Sequence, residues 1–356
     1  MKNEDIASLK TEARAMKLLY TTDGTQGYTR ENAGKDFIFL DTTGERITDE
    51  EEIKRIKSLA LPPAWTQVWI CPKANGHLQA TGRDMKGRKQ YKYHAEWSLH
   101  RNEHKHSQML EFARSLPVIR KKLEDDLQEK DFSKNKVLAL AISVMDKTFI
   151  RVGNSAYTKM YGSFGLTSLR NRHIKISGNK LVIAFRGKKG VFREVTLTHS
   201  RLSGMLKKLK DIPGHELFQF YDTDGNKKTI DSSGINEYLE LCTGKDFTAK
   251  DFRTWWGTVT ALSFLAEIKA AHTDSAPQHD ILATLDAVAK KLGNTRNVCK
   301  KYYVHPVLLN AYGDGKLDKY LLKLNKAKYS DNEDDPIMNA EEKIVMEFME
   351  KECNAA

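Results

Sequence analysis

Residues 173 to 199, HIKISGNKLVIAFRGKKGVFREVTLTH, alternate apolar and polar side chains in three short runs, with SGNK and RGKKG between them. A period of two interrupted by Gly-containing turns specifies an antiparallel three-stranded unit with one face to bury. The second turn carries Lys188 and Lys189 on a Gly-flanked tip. Whatever this chain folds into has to cover that sheet, and most of its surroundings have helical period. Leu138, Ile142, Met145 and Phe149 recur at i, i+4, i+7 and i+11, which is one apolar helix face. Gly153 is expected to break that helix, with Arg151 leaving it at the same point. Helical stretches follow near 200–211 and 233–242. In FTAKDFRTWWGTVTALSFLA either Thr248 or Asp251 starts the next helix, with Arg253 in its first turns beside two tryptophans that hold it by packing. The last clear helix before the tail, LATLDAVAKKLG, aligns Leu282, Leu285, Val288 and Leu292 and stops at Gly293. It delivers LGNTRNVCKKYYVHP, residues 292–306, which holds Asn294 and Tyr303.

The front of the chain has a different texture. A helix-like start through Ile6, Leu9, Ala13, Met16 and Leu18 gives way to a polar, Gly-rich stretch up to about residue 35. FIFLD (37–41), QVWICP (67–72) and HLQATG (77–82) read as strands, with LPPAW (61–65) as a Pro-stiffened connector. The segment that follows, GRDMKGRKQYKYHAEW, carries five basic side chains and one acidic one between Arg83 and Tyr93. Strand alternation puts Tyr91 and Tyr93 on one face and Lys92 on the other. Arg83, Lys86, Arg88 and Lys89 suit phosphates, while Gln90 and the two tyrosines suit bases and sugars; the alternative is a solvated basic hairpin. SLHRNEHKHS (98–107) reads as a charged connector. His100 and His104 share a helix face there without a third ligand, so no metal site is expected.

The expected fold class is therefore α+β, with a small β-rich N-terminal domain (1–97) and a larger, mostly helical domain (98–330) containing the three-stranded sheet. An acidic linker and short helix (331–356) close the chain. The net charge of +11 conceals an uneven distribution. Residues 330–356 hold nine acidic and two basic side chains, or −7, which leaves +18 on the remainder. That excess points to a polyanionic partner, against the alternative of an inert basic surface. Cysteines at 71, 242, 299 and 353 are too scattered for a zinc ribbon and suit a reducing compartment. MKNEDIASLK lacks the apolar core of a signal peptide, and no apolar run reaches membrane-spanning length. A soluble intracellular protein is expected.

Arg151, Lys188, Arg253, Asn294 and Tyr303 appear in that order along the helical domain. Singly, each has a bland interpretation, such as a cation at a helix end or a turn decoration. Together they match what breaking a phosphodiester without metal requires. Two arginine forks can hold non-bridging oxygens and stabilise a phosphorane. A lysine can protonate a departing 5′ oxygen, and a tyrosine can attack to give a phosphotyrosyl intermediate. The chain has no GxxxxGK[ST] loop and no obvious carboxylate cluster for magnesium, so neither nucleotide nor metal cofactor is expected.

In order, RKQYKY, FIRVGN with TSLRNRHIKI after it, FRGKKG, KDFRTWW, and LGNT with its downstream tyrosine resemble the compact poxvirus and bacterial type IB DNA topoisomerases. The resemblance spans nearly the whole chain. It implies a topoisomerase IB/tyrosine recombinase-like fold and a monomeric, two-domain clamp around duplex DNA. It also implies relaxation of supercoils by nicking, rotation and resealing, without ATP. On the same basis Arg151 and Arg253 would bind the phosphate, Lys188 would be the general acid, and Tyr303 rather than Tyr302 would be the nucleophile. Gln90, Tyr91 and Tyr93 would touch DNA, with Tyr157 and Lys250 near the scissile phosphate. Viral members carry histidine where Asn294 stands; an amide can donate a hydrogen bond but cannot carry the proton. Asparagine there resembles the bacterial branch, which implies a cytoplasmic, nucleoid-associated enzyme. The rivals are a tyrosine recombinase, disfavoured by Lys250-Asp251-Phe252-Arg253 in place of HxxR, and an inactive DNA-binding relative.

Overall fold

The computed structural model describes residues 3–34, 36–85, 87–271, 276–329 and 337–352, with the side chains of 3–5, 102–107, 155–157 and 328–329 outside that set. Two compact units divide at Lys105. The first contains α1 (Asn3–Ala15), β1 (Tyr28–Ala33), β2 (Asp36–Leu40), α2 (Glu50–Ser58), β3 (Thr66–Ile70), β4 (Leu78–Arg83) and β5 (Lys89–Tyr93). Its strands form one antiparallel sheet in the order β2-β1-β3-β4-β5, so the basic strand β5 lies at an edge. Phe39, Ile56, Val68, Ile70 and Ala80 make the core under it.

Two elements of this unit carry little apolar signal. β1, YTRENA, belongs to the stretch read only as polar and Gly-rich, yet it pairs on both sides. Arg30 secures it, with its guanidinium 4.2 Å from the Phe37 ring centroid and hydrogen bonds to the carbonyls of Leu61, Pro62, Pro63 and Trp65. α2 begins at an Asp49 cap that accepts from the backbone of Glu51 and Glu52 and buries Ile56.

The charged connector expected at 98–107 is helical. It lies inside α3 (Ala95–Leu127), a 33-residue helix that runs through the point of division. SLHRNEHKHS contains no Gly or Pro, so nothing in it interrupts the backbone ladder. Among the described residues no group of three or more His, Cys, Asp or Glu could hold a metal ion. No described helix is long and apolar enough to cross a membrane.

The second unit continues α3 and adds α4 (Lys134–Thr148), α5 (Ser155–Tyr161), β6 (Ile174–Ser177), β7 (Lys180–Arg186), β8 (Phe192–Thr198) and α6 (Ser200–Leu209). A short hairpin, β9 (Gln219–Tyr221) and β10 (Lys227–Thr229), precedes α7 (Ser232–Thr243) and α8 (Ala249–Ala271). The chain ends with α9 (Pro277–Leu292), α10 (Arg296–Tyr302), α11 (Pro306–Gly313), α12 (Asp318–Tyr329) and α13 (Ala340–Glu352). The β6-β7-β8 sheet is antiparallel throughout, with Ile174 opposite Ile183 and Phe185 opposite Arg193. Leu181, Ile183 and Phe185 are buried in alternation along β7, as period two requires. α4 stops earlier than the expected break at Gly153: its last helical residue is Thr148, and Phe149 caps it at φ 57°.

The acidic linker at 330–336 lies outside the described residues, but the helix beyond it is core. Ile344, Val345, Phe348 and Met349 of α13 are buried. Glu342, 1 % exposed, accepts hydrogen bonds from Arg120 of α3, Trp255 Nε1 of α8 and the Asn339 backbone. Arg120 also pairs with Asp146 of α4, which accepts from Trp256 Nε1. Burial alone would depress the Arg120 pKa, but the Asp146 and Glu342 carboxylates outweigh it and raise it. Removing one partner of such a network strands a buried charge. Glu342→Ala is expected to destabilise the protein by about 3–5 kcal/mol, read as a lowered urea midpoint at unchanged slope.

Candidate active site

Arg253 sits one turn into α8 and is 4 % exposed. Its Nη1 donates to the carbonyl of Phe149, and its Nη2 to that of Leu292 at 2.9 Å. Both acceptors belong to helix ends: Phe149 caps α4 and Leu292 ends α9. Because Phe149 turns into the left-handed region, its carbonyl leaves the α4 ladder and becomes available. Arg253 Nε is buried without a hydrogen-bond partner.

Arg151 follows two residues after Phe149. The segment is held at the backbone, where Leu166 and Thr167 donate to the carbonyls of Arg151 and Val152 at 2.8 and 2.9 Å. The Arg151 guanidinium donates from Nη2 to Gly293 O at 2.9 Å and to Asn294 Oδ1. Gly293 is the left-handed cap of α9, φ 62°, a conformation glycine adopts without strain. With Asn294 Oδ1 engaged, its Nδ2 is buried without an oxygen acceptor, and the amide acts on the Cys299 thiol beside it.

Tyr303 ends α10, and its ring centroid lies 5.3 Å from Arg253 Cζ. It is half-buried against the main core, whereas Tyr302 is exposed. Its position is set by α8 in a way the sequence did not signal. A Cβ at Gly257 would come within 2.3 Å of the Tyr303 carbonyl oxygen, so only glycine lets the two backbones meet here. Next to it, Thr258 Oγ1 lies 3.4 Å from the same oxygen and accepts from the His305 backbone at 3.0 Å.

Positive charge accumulates at this point. The Arg151 pKa is pulled down to about 10 by burial first and then by Arg253, with Arg193 adding to the effect. Arg253 is lowered by burial, partly offset by Tyr303. Arg193, on β8, is lowered by burial and by Arg253. Among the described residues, no carboxylate is among the groups that act most strongly on these three guanidiniums. Cys299, beneath them on α10, is pushed up to about 11 by burial, against the pull of Arg253 and Arg151.

Arg151, Arg253, Asn294 and Tyr303 are thus brought together. Lys188 stands on the exposed turn between β7 and β8, and Lys250 is exposed in the first turn of α8. Tyr157 is on α5 with its side chain outside the described set, and Lys86 is outside the described residues. In the first unit, Tyr91 and Tyr93 stack on one exposed face of β5, ring centroids 6.1 Å apart. Part of the basic charge there is already engaged: Arg88 and Gln90 bind Asp84, and Lys89 pairs with Asp23. Arg83 donates to Gln67 Oε1 and Gly87 O.

Residues 86–330 match the eukaryotic DNA topoisomerase I catalytic core family, and residues 36–84 the N-terminal domain of bacterial DNA topoisomerase IB. The chain belongs to the type IB DNA topoisomerases. Among relatives, DNA topoisomerase 1B of Acanthamoeba polyphaga mimivirus is 31 % identical over 297 residues, 81 % of this chain and 88 % of that one. DNA topoisomerase 1B of vaccinia virus (strain Copenhagen) is 28 % identical over 254 residues, covering 70 % and 76 %. A solved post-cleavage complex of the XerH site-specific recombinase with palindromic difH substrate aligns at a TM-score of 0.34 and 16 % identity, over 57 % of this chain and 49 % of that chain. The catalytic-core match ends at residue 330, so α13 of this topoisomerase lies beyond it.

Because Tyr303 is packed backbone to backbone against α8, a single methyl group at Gly257 can misplace its phenol without touching it. Gly257→Ala is expected to slow strand cleavage about 100-fold while leaving affinity for uncleaved duplex intact. Single-turnover cleavage and a binding titration on the same duplex check this.

Proposed function

We propose that Tyr303 is the nucleophile of DNA relaxation, with Arg151, Arg253 and Asn294 holding the scissile phosphate and Lys188 serving as its proton donor. Tyr303 Oη attacks phosphorus and forms the new O–P bond while its proton passes to solvent. The P–O5′ bond breaks, and the leaving 5′ oxygen takes a proton from Lys188 Nζ. The phosphate stays on the 3′ end as a phosphotyrosyl ester, the free 5′ strand rotates, and the reverse reaction reseals the duplex. The ester conserves the bond energy, so ATP is not needed, and the guanidiniums supply the charge stabilisation a metal would otherwise give.

One observation carries this reading. Two guanidiniums and an amide converge beside one tyrosine with no described carboxylate among the groups acting most strongly on the guanidiniums, and two of their buried donors, Arg253 Nε and Asn294 Nδ2, lack an oxygen acceptor. Buried donors without acceptors are costly and call for an anion. A phosphoryl group offers several oxygens at once. Asn294 Oδ1 is held by Arg151, so the amide is a donor toward such a group and not a base.

The polyanion is duplex DNA. The stacked Tyr91 and Tyr93, with Arg83, Lys86, Arg88, Lys89 and Gln90, form a second contact surface on the N-terminal unit, and Tyr157 and Lys250 serve the catalytic one. This arrangement, with domains at 1–97, 98–330 and an acidic C-terminal segment, works as a monomer in the cytoplasm, at the nucleoid of a bacterium. Relaxation of supercoiled plasmid in EDTA without ATP tests the reaction class. Detergent trapping should map the adduct to Tyr303, and Tyr303→Phe should bind DNA normally yet relax none. Residual relaxation by that variant, or an adduct on Tyr302, would overturn the choice of nucleophile.

A further inference from the structure

The hairpin that carries Lys188 is an exposed turn, and a proton donor there is useful only if it is held over the leaving oxygen. Residues 187–191 form the tip: Gly190 N donates to Gly187 O, and Gly187 N to Val191 O, at 2.9 and 2.8 Å. Below the tip, Arg186 pairs with Phe192 and Phe185 with Arg193. Arg193, the second residue of β8, lies on the strand face of Val195 and Leu197 and reaches the end of α9. Its Nη2 donates to the carbonyl of Lys291 at 3.1 Å. Its guanidinium covers Gly293 so closely that a Cβ there would lie 2.1 Å from Nη1. The contact is with the last turn of α9 and its cap, the segment whose carbonyls and Asn294 bind Arg253 and Arg151.

We propose that Arg193 is a positioning residue for Lys188, pinning the base of the hairpin to the 291–294 segment so that the lysine stands in register with the phosphate held there. The proposal rests on Lys188 being the general acid. Arg193 is half-buried, and both burial and the charge of Arg253 act on its guanidinium. A solvated cation on an alternating strand would avoid that neighbourhood, so the side chain is held in place against repulsion. It gains a single carbonyl in return, a geometry that fastens the strand without tying up a carboxylate and so leaves the site's positive charge whole. Its Nη2 is turned onto Lys291 O and its Nη1 packs over Gly293, so its route to the reaction runs through the hairpin.

The test compares two leaving groups. Duplex oligonucleotides built on a cleavage site mapped in plasmid carry either the ordinary 5′ oxygen or a 5′-bridging sulfur, which leaves as a thiolate and needs no proton. Arg193→Gln is expected to slow single-turnover cleavage of the oxygen substrate about tenfold or more, and to cleave the sulfur substrate within about twofold of the unmodified protein. Added to Lys188→Ala, it should cause no further loss on either substrate. Equal slowing on both substrates would overturn the proposal and make Arg193 a direct phosphate ligand; an unchanged rate on the oxygen substrate would also overturn it. Lys188→Ala alone separates the two claims. If it stays slow on the thiolate, the general-acid assignment itself fails; if it is rescued and Arg193→Gln is not, only the positioning role fails. Should Arg193→Gln lower the melting temperature enough to compromise folding, Arg193→Lys keeps the charge and loses the fork, and the same oxygen-to-sulfur ratio decides.

Discussion

The catalytic unit is organised around one desolvated charge. Arg253 is 4 % exposed, and a guanidinium cannot shed its proton to escape burial. It must therefore be solvated by protein, and the protein does this with carbonyls that two helices would otherwise leave unsatisfied at their ends. Phe149 O comes from the end of α4 and Leu292 O from the end of α9. The negative ends of two helix dipoles thereby converge on one cation. The same two termini launch the other polar groups: Arg151 follows Phe149, and Gly293 with Asn294 follows Leu292. Satisfying one buried arginine thus fixes where the second arginine and the amide emerge.

That arrangement needs rigid support, and α13 supplies part of it. Arg120, Asp146 and Glu342 form a buried charged network in which each carboxylate also accepts a tryptophan N–H, from Trp256 and Trp255 respectively. These tryptophans lie two and three residues after Arg253, and Trp256 packs at 5.1 Å on Phe149, the residue whose carbonyl Arg253 uses. Buried ion pairs are weak sources of stability but strong sources of geometry, because partial breakage is so costly. Here the network fixes α8 against α4 at the turn where Arg253 leaves the helix. A segment that looks from its charge like a solvated tail is in fact part of the frame behind the site.

What could be read from the residues follows from how local each signal is. The β6-β7-β8 hairpins were legible because alternation and turn chemistry act within a few residues. α8 and α9 were legible for the same reason, and the order of the motifs along the chain singles out Arg151, Arg253, Asn294 and Tyr303. β1, α2 and the β9–β10 hairpin were not, since YTRENA, EEEIKRIKS and KKT gain their stability from partners distant in sequence. The early stop of α4 at Thr148 was invisible because a left-handed Phe149 is favoured only once Arg253 takes its carbonyl. Gly257 resembled any small residue in an apolar helix, and Arg193 is a cation on the strand face it shares with Val195 and Leu197, where alternation calls for an apolar side chain. Both matter because of a backbone or side chain arriving from elsewhere, and no periodicity encodes that.

The concentration of guanidiniums has a thermodynamic corollary. Arg151, Arg193 and Arg253 each have a pKa lowered by burial, and each of the first two is lowered further by a neighbouring arginine. The free protein holds these charges together without a described carboxylate among the groups acting most strongly on them, at a cost that its packing and helix-end carbonyls must offset. An anion entering the site would reduce the mutual repulsion and offer acceptors to buried donors such as Arg253 Nε and Asn294 Nδ2. The strain belongs to the folded state alone, because in an unfolded chain the three arginines are far apart and hydrated. On the proposed roles, relief of that strain would make phosphate binding more favourable in the native protein than pairwise contacts suggest, and by linkage a bound phosphate would stabilise the fold. The same reasoning explains why the surrounding frame is built so tightly: a looser one would let the guanidiniums drift apart, and the site would lose the electrostatic focus that preorganisation provides.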